Sequence, residues 1–399
     1  MSVRPLLLFA LGAFLLWMGT LAVVIASRGD NDFDGFHRAA THLLTEGKLS
    51  SARDIERYPP TFQVLMLPLA LVPVGVAAFL WFALNAACLL ALPRLFERSL
   101  GIPLRAQLPA WLLAGPLVPV NLQLGQSAPL LIFASAWSIE RLRRSAAGSV
   151  LAGFVLVILG ALKVLPLAFL ALPTLARRIR GTWIGVTLAL LACGGLLVLA
   201  VGTEEARASC ERWVEDVETQ SPWNLVQSER SLRYANQGLG VTLARTFGDF
   251  ESDRVRGRVE LLHLPLPFVW SVYFALLALT GLLTLKIVLH ARRDGDMDAW
   301  LRGYAAIALA MLLVSPIVWT HYFLWWLPAG LALRRHERAI VILAVCSLLA
   351  TTMPATRSLG FHIFTTLGLL VALERTRAAA ARNPISVAEP RREEARIAS

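Results

Sequence analysis

The sequence predicts an all-α polytopic membrane protein, and three observations carry that prediction. Of 399 residues, 56% are hydrophobic and only 16% charged, with a mean hydropathy of +0.61; soluble domains carry about 25% charged residues. Apolar runs suited to helical spans recur along nearly the whole chain. Basic clusters punctuate these runs at Arg94/Arg98/Arg105, Arg141/Arg143/Arg144, Arg177/Arg178/Arg180, Arg292/Arg293 and Arg334/Arg335/Arg338, the pattern of short cytoplasmic loops. The net charge of +11 is accounted for by these loops, and no nucleic-acid partner is expected. Cys88, Cys193, Cys210 and Cys346 are scattered, with neither a disulfide framework nor a metal-ligand spacing.

Taken in order, Leu6–Ala26 is longer than a usual signal-peptide core and lacks a clear cleavage site, so it reads as an uncleaved first helix. The run Thr61–Pro93 is too long for one straight span. Pro68 and Pro73 divide it into an interfacial piece and a helix. Further spans are expected at Leu108–Val120, Ala128–Ile139, Val150–Leu175, Thr182–Val201, Leu264–His290, Trp300–Ser315, Tyr322–Leu333, Ala339–Met353 and Leu359–Leu373. Basic loops on one side require an even number of spans between them. Val150–Leu175 lies between two basic clusters, so it is expected to fold back as two short spans near Lys163. About twelve spans result, with both termini cytoplasmic. The connections 27–60, 121–127, around 163, 202–263, 315–321 and 354–358 then face outward. Residues 1–373 form the transmembrane domain; 374–399 form a polar cytoplasmic tail, rich in Ala, Arg and Glu and expected to be disordered.

The loop 27–60 holds Asp30, Asp32 and Asp34 directly after the first apolar run. Spaced by two, they do not share one helical face. Phe33, Phe36, Ala40, Leu43 and Leu44 follow a helical period, and Asp32 or Asp34 stands where it would cap that helix. The functional reading makes one carboxylate a general base on a sugar hydroxyl at the membrane surface. Tyr58-Pro59-Pro60 makes a rigid corner, where Tyr58 is an interfacial anchor or a hydroxyl of the site. Gly125-Gln126 marks an outer turn. Lys163 lies deep in an apolar run, where an ionisable residue marks a functional site by default; it would stabilise the charge on a leaving lipid phosphate. The long loop 202–263 carries Arg230, Arg233, Tyr234, Asn236, Gln237 and Arg245. Ser315-Pro316 breaks a helix ahead of Trp319, His321 and Tyr322; Trp319 and Tyr322 fit an aromatic belt, and His321 is a packed residue or a phosphate ligand.

Together these residues resemble glycosyltransferase family 87, the polyprenyl-phosphate-mannose-dependent mannosyltransferases. The likeness runs from Asp32–Leu44 (DFDGFHRAATHLL) and the Tyr58-Pro59-Pro60 corner, through Gly125-Gln126, Lys163-x-x-Pro166 and Asn236-Gln237, to Ser315-Pro316-x-x-Trp319-x-His321-Tyr322. It implies the C-type membrane glycosyltransferase fold, with juxtamembrane helices in the first outer loop. It also implies a donor sugar on a lipid phosphate, transferred to a lipid or glycan hydroxyl with inversion. The family's aspartate precedes an aromatic residue by four; Asp32 with Phe36 fits, whereas Asp34 would pair with Arg38, so Asp32 is the expected base and Asp34 its reserve. Lys163, His321 and Arg233 are expected at the donor phosphate, and Tyr58, Gln126, Asn236, Gln237, Arg245, Trp319 and Tyr322 at the substrates. The chain departs from the family pattern at Phe36, where tyrosine is common, and at Gly238, where serine is usual.

Physical chemistry points the same way. A phosphate-linked donor is already activated and needs one base, a cation at the leaving phosphate, and positioning. No cofactor and no metal are expected, since Lys163 and His321 supply that electrostatic role. Competing readings are a transferase using another lipid-linked sugar, such as arabinose or glucose, and a transporter or flippase of such a lipid. A transporter places ionisable groups at the midplane between repeated halves; here only Lys163 qualifies and the halves show no evident symmetry.

Overall fold

A computed structural model of the chain describes residues 16–21, 23–24, 31–50, 58–173, 179–227, 236–249, 261–294, 296–353, 356–357 and 359–382. These residues are almost wholly helical. Four helices are long and apolar enough to cross a membrane: Val74–Leu100, Ile179–Val201, Leu266–Arg293 and Met297–Val314. A fifth span is available if the bent pair Leu117–Gln123 and Ala128–Leu142, which turns through 111°, counts as one. Four or five full-length crossings are thus found among the described residues, against about twelve expected, several of them short; Phe361–Arg382 adds a helix of 22 residues, and most of Leu6–Ala26 lies outside the described residues.

The breaks have identifiable causes. Gly115-Pro116 divides the expected span Leu108–Val120 into helices Leu104–Ala114 and Leu117–Gln123. The run beginning at Val150 stops at Lys163, which caps the helix Ala146–Leu162 in an extended conformation before a 3-10 segment, Leu165–Ala171, packs back. The expected span Tyr322–Leu333 is a 3-10 segment, Thr320–Trp326, followed by the short helix Leu327–Ala332. The last helix, Phe361–Arg382, continues past the expected boundary at Leu373. The tail beyond 382 lies outside the described residues.

Met297–Val314 sits at the centre. Asp296 caps it by accepting from the Ala299 amide, and it packs on Leu266–Asp294, Leu327–Ala332 and Phe361–Arg382. Most of its residues are buried. Phe169, Tyr304 and Trp325 tie it to the segment after Lys163, with ring centroids 5.0 and 5.3 Å from Phe169. Ala146–Leu162 and Ile179–Val201 pack face to face. A Cβ at Gly153 would run into the Thr182 carbonyl, and one at Gly185 into that of Val150. Small residues permit this approach, as is usual between membrane helices.

The helix Asp32–Glu46 is capped by Asn31, whose side chain accepts from the Asp34 amide at 3.0 Å. Neither Asp32 nor Asp34 is the cap; the cap lies one residue earlier. Gly47, at φ 65°, closes the helix by donating to Leu43. Its apolar face buries Phe33, Phe36, Ala39, Ala40 and Leu43. Phe36 meets Tyr58 and Phe62 edge-on at 5.0 and 4.9 Å. The Tyr58-Pro59-Pro60 corner thereby fixes this helix against Pro60–Ala70.

Candidate functional site

A cavity of about 1200 Å³ opens where the Asp32 helix, the Gly125 turn, the Lys163 break and the loop after Val314 meet. It exceeds the roughly 300–1,000 Å³ usual for a small-molecule site. Its wall carries Asp32, Arg38, Tyr58, Gln126, Lys163, Trp319, His321, Tyr322 and Arg357 as polar or aromatic groups. Val164, Leu167, Ile307, Met311 and Val314 supply apolar surface.

The turn at Gly125 organises this wall. Gly125 adopts φ 66°, a conformation that costs glycine little. Its carbonyl accepts from Trp81 Nε1 at 2.7 Å, and Trp81 stacks on Phe33 of the Asp32 helix with centroids 6.1 Å apart. A Cβ at Gly125 would meet the Phe33 Cβ at 2.5 Å. The next residue, Gln126, is 2% exposed and donates its backbone N–H to the Asn121 carbonyl at 3.0 Å. Asn121 in turn donates its side-chain amide to the His321 carbonyl at 2.8 Å. Three segments distant in sequence are thereby held on one turn.

Gln126 Nε2 donates to Asp32 Oδ2, and Gln126 Oε1 accepts from Lys163 Nζ at 3.1 Å. The Lys163 ammonium lies 3.9 Å from the Tyr322 ring centroid and 5.8 Å from that of Tyr58, two cation–π contacts that partly replace its lost hydration. His321 is buried and packs edge-on against Tyr322 at 4.6 Å. Its Nε2 has no hydrogen-bond partner among the described residues. Such an orphaned buried nitrogen in a cavity wall is suited to a ligand.

Other predicted residues lie elsewhere. Asp34 is absent from the cavity wall; the Arg38 guanidinium lies 3.1 Å from its Oδ2, outside hydrogen-bond alignment. Asn236, Gln237 and Arg245 are fully buried behind the wall. Asn236 Oδ1 accepts from the Gly238 and Val318 amides, and the Gln237 amide donates to the Val318 carbonyl. Gln237 Nε2 and Arg245 Nη2 both point to the Arg357 carbonyl, at 2.8 and 3.4 Å, and Arg245 Nη1 donates to the Asn236 carbonyl at 2.8 Å. Burial pulls the Arg245 guanidinium down to about 10, still cationic at neutral pH. These three residues staple the loop after Pro316 and are not on the cavity wall, so substrate contact through them has no geometric support. Asp30, Arg230, Arg233 and Tyr234 lie outside the described residues.

Sequence reasoning passed over Arg357, Arg38, Asn121 and Trp213. A cation at 357, in a short loop predicted to face outward, runs against the charge rule and was a usable sign. Trp213 lines the cavity from the exposed, amphipathic helix Thr203–Thr219, and nothing in its local sequence marks it. Among the described residues, no group of three or more His, Cys, Asp or Glu is placed to hold a metal ion.

The family model of glycosyltransferase family 87 matches residues 57–316. The matched stretch contains Gln126 and Lys163 and stops short of Asp32 on one side and His321 on the other. No curated protein and no solved structure matches the chain.

Proposed function

Because the chain belongs to glycosyltransferase family 87 and is therefore a membrane glycosyltransferase, we propose that it moves a sugar, mannose, from a polyprenyl-phosphate donor to a lipid or glycan hydroxyl with inversion. Asp32 is the general base in this reading. It takes the proton of the acceptor hydroxyl as that oxygen attacks the anomeric carbon from the face opposite the phosphate. The bond from the anomeric carbon to the phosphate oxygen breaks, and its electron pair stays on the phosphate. Lys163 and His321 receive that phosphate, the first by its charge and the second through its unpartnered Nε2. Tyr58 and Tyr322 position the substrates beside the ammonium.

The observation that carries the reading is the joining of Asp32, Gln126 and Lys163 on one wall of a single large cavity. A base and a phosphate-binding cation must act on the two ends of one displacement, so they need to share a pocket. Mixed polar and apolar lining suits an amphiphilic, lipid-linked substrate. A direct single displacement requires one base; a retaining route would need a second carboxylate about 5 Å away, and Asp34 turns to Arg38 instead. The topology that goes with this reading is a multi-pass protein of the cell membrane, with an extracytoplasmic site and both termini in the cytoplasm.

The test is to supply the purified protein with polyprenyl-phosphate-mannose and a membrane lipid extract. Sugar transfer by the wild type and its loss in Asp32→Asn support the reading. Unchanged transfer in Asp32→Asn removes that residue from the role. Flipping of the donor across vesicles without transfer favours the transporter.

A further inference from the structure

The side-chain amide of Gln126 stands between two groups of opposite charge and bonds to both. Its two ends are chemically distinct: the nitrogen only donates and the oxygen only accepts. The Asp32 carboxylate accepts and the Lys163 ammonium donates, so one orientation of the amide satisfies both. The backbone leaves little freedom, since Gly125 is pinned by Trp81 and Phe33 and Gln126 itself by Asn121.

We propose that Gln126 is a positioning residue: its amide bridges the Asp32 carboxylate and the Lys163 ammonium while preventing their direct ion pairing, so that the carboxylate stays basic and the ammonium stays uncommitted until each meets its own substrate. This rests on the assignment of Asp32 as base made above. A carboxylate and an ammonium in contact attract one another, here with the ammonium of Lys163 on a buried side chain. Such a pair is a weak base and a committed cation, because the opposite charge stabilises the carboxylate. The intervening amide keeps both groups aligned on the cavity and separates them by its own length. It also differs from a substrate-binding role, since both ends of the amide are engaged by protein groups.

The prediction concerns the acid limb of kcat/KM, which reports the free enzyme's base. Among the described residues, the titratable or charged groups near Asp32 are Lys163 across the amide, Arg38 and Asp34 on its own helix, and Tyr58, His321, Tyr322 and Arg357 around the cavity. None of these changes in Gln126→Glu, which keeps the side-chain shape and sets a second carboxyl group against Asp32. Like charge disfavours ionisation of the pair, so the limb moves to higher pH by about one unit or more. Gln126→Asn is one methylene too short to reach both partners. It lets the ammonium approach the carboxylate, and the limb moves to lower pH.

Transfer is measured against pH with full-length protein in detergent, using polyprenyl-phosphate-mannose and membrane lipid extract, and thermal unfolding is followed on the same samples. Limbs displaced in opposite directions support the proposal. Lowered kcat with the wild-type limb in both variants overturns it, because the amide is then a structural or substrate contact. Failure of both variants to fold also overturns it, since an amide that only spaces two charges is dispensable for folding. Wild-type transfer that Asp32→Asn abolishes secures the underlying reading first, so the two ideas fail separately.

Discussion

Two polar clusters flank the loop after Pro316, and they are built on opposite principles. In the Asp32–Gln126–Lys163 cluster, two charged side chains bond to one side-chain amide and border a cavity. In the Asn236–Gln237–Arg245 cluster, polar side chains bond mainly to backbone groups and lie off the wall of that cavity. The second arrangement satisfies buried carbonyls and amides of a segment that belongs to no regular element. It holds the carbonyl of Arg357 and the amide and carbonyl of Val318, and through them the walls on which Arg357 and His321 sit. The first keeps charge where a substrate arrives. Burial and polarity alone do not distinguish a site from its scaffold; what separates them is whether charge is spent on the backbone or kept for a ligand.

Breaking the first cluster should remove activity and spare the fold. Asp32→Asn preserves shape and removes the base; transfer is expected to fall by about 100- to 10,000-fold, with unfolding temperature within experimental error. Lys163→Met keeps the stem and deletes the charge at the leaving phosphate. A loss of about 100- to 1,000-fold in kcat is expected, with a smaller change in KM. If either variant instead unfolds readily while retaining turnover per folded molecule, the assignment of this cluster as the site is wrong.

Breaking the second cluster should do the reverse. Arg245→Met removes the side-chain donor to the buried Asn236 carbonyl and leaves the Arg357 carbonyl to Gln237 Nε2. Leaving buried acceptors unsatisfied costs about 1–3 kcal/mol, read as a lower unfolding midpoint in detergent. Turnover per folded molecule is expected to stay within about threefold, since each 1.4 kcal/mol in a barrier is about tenfold and Arg245 touches no reacting group. A large kcat loss at unchanged stability would move Arg245 back to the substrates.

This contrast was only half legible in the sequence. Lys163 stood out because a charge in an apolar run is costly and is kept for a reason. Asp32 stood out through its place after the first span and its spacing to Phe36. Asn236, Gln237 and Arg245 lie in a long polar connection, where a buried staple and a substrate contact have the same composition. Their burial comes from the return of residues 316–319 and 357, more than eighty positions later, and no local pattern announces it. Span lengths were read less well for a related reason. Pro68 and Pro73 were read as breakers whereas Pro116 was read through, and whether a short apolar run completes a crossing depends on neighbours that cover its open end. The final helix extends to Arg382 because its Ala-rich stretch favours helix although its polarity resembles a tail.

Asp34→Asn is the smallest and most discriminating change. Asp34 neighbours Asp32 in sequence, is nearly as acidic a feature of the loop, and is buried. Its side chain nonetheless turns from the cavity to Arg38, whose own side chain is 65% exposed. An ion pair with one largely solvated member is worth about 0.2–1 kcal/mol, and the cap of this helix is Asn31, which the substitution leaves intact. Stability should therefore fall by less than about 1 kcal/mol, and transfer should stay within about twofold, a span of roughly 0.4 kcal/mol in the barrier. Measured beside Asp32→Asn on the same preparation, the pair isolates direction from charge. Both variants remove one carboxylate from one helical turn, and only the one aimed at Gln126 should silence the enzyme. Equal losses in the two would mean that the negative field of the turn matters rather than a single proton acceptor, and the base would have to be sought elsewhere.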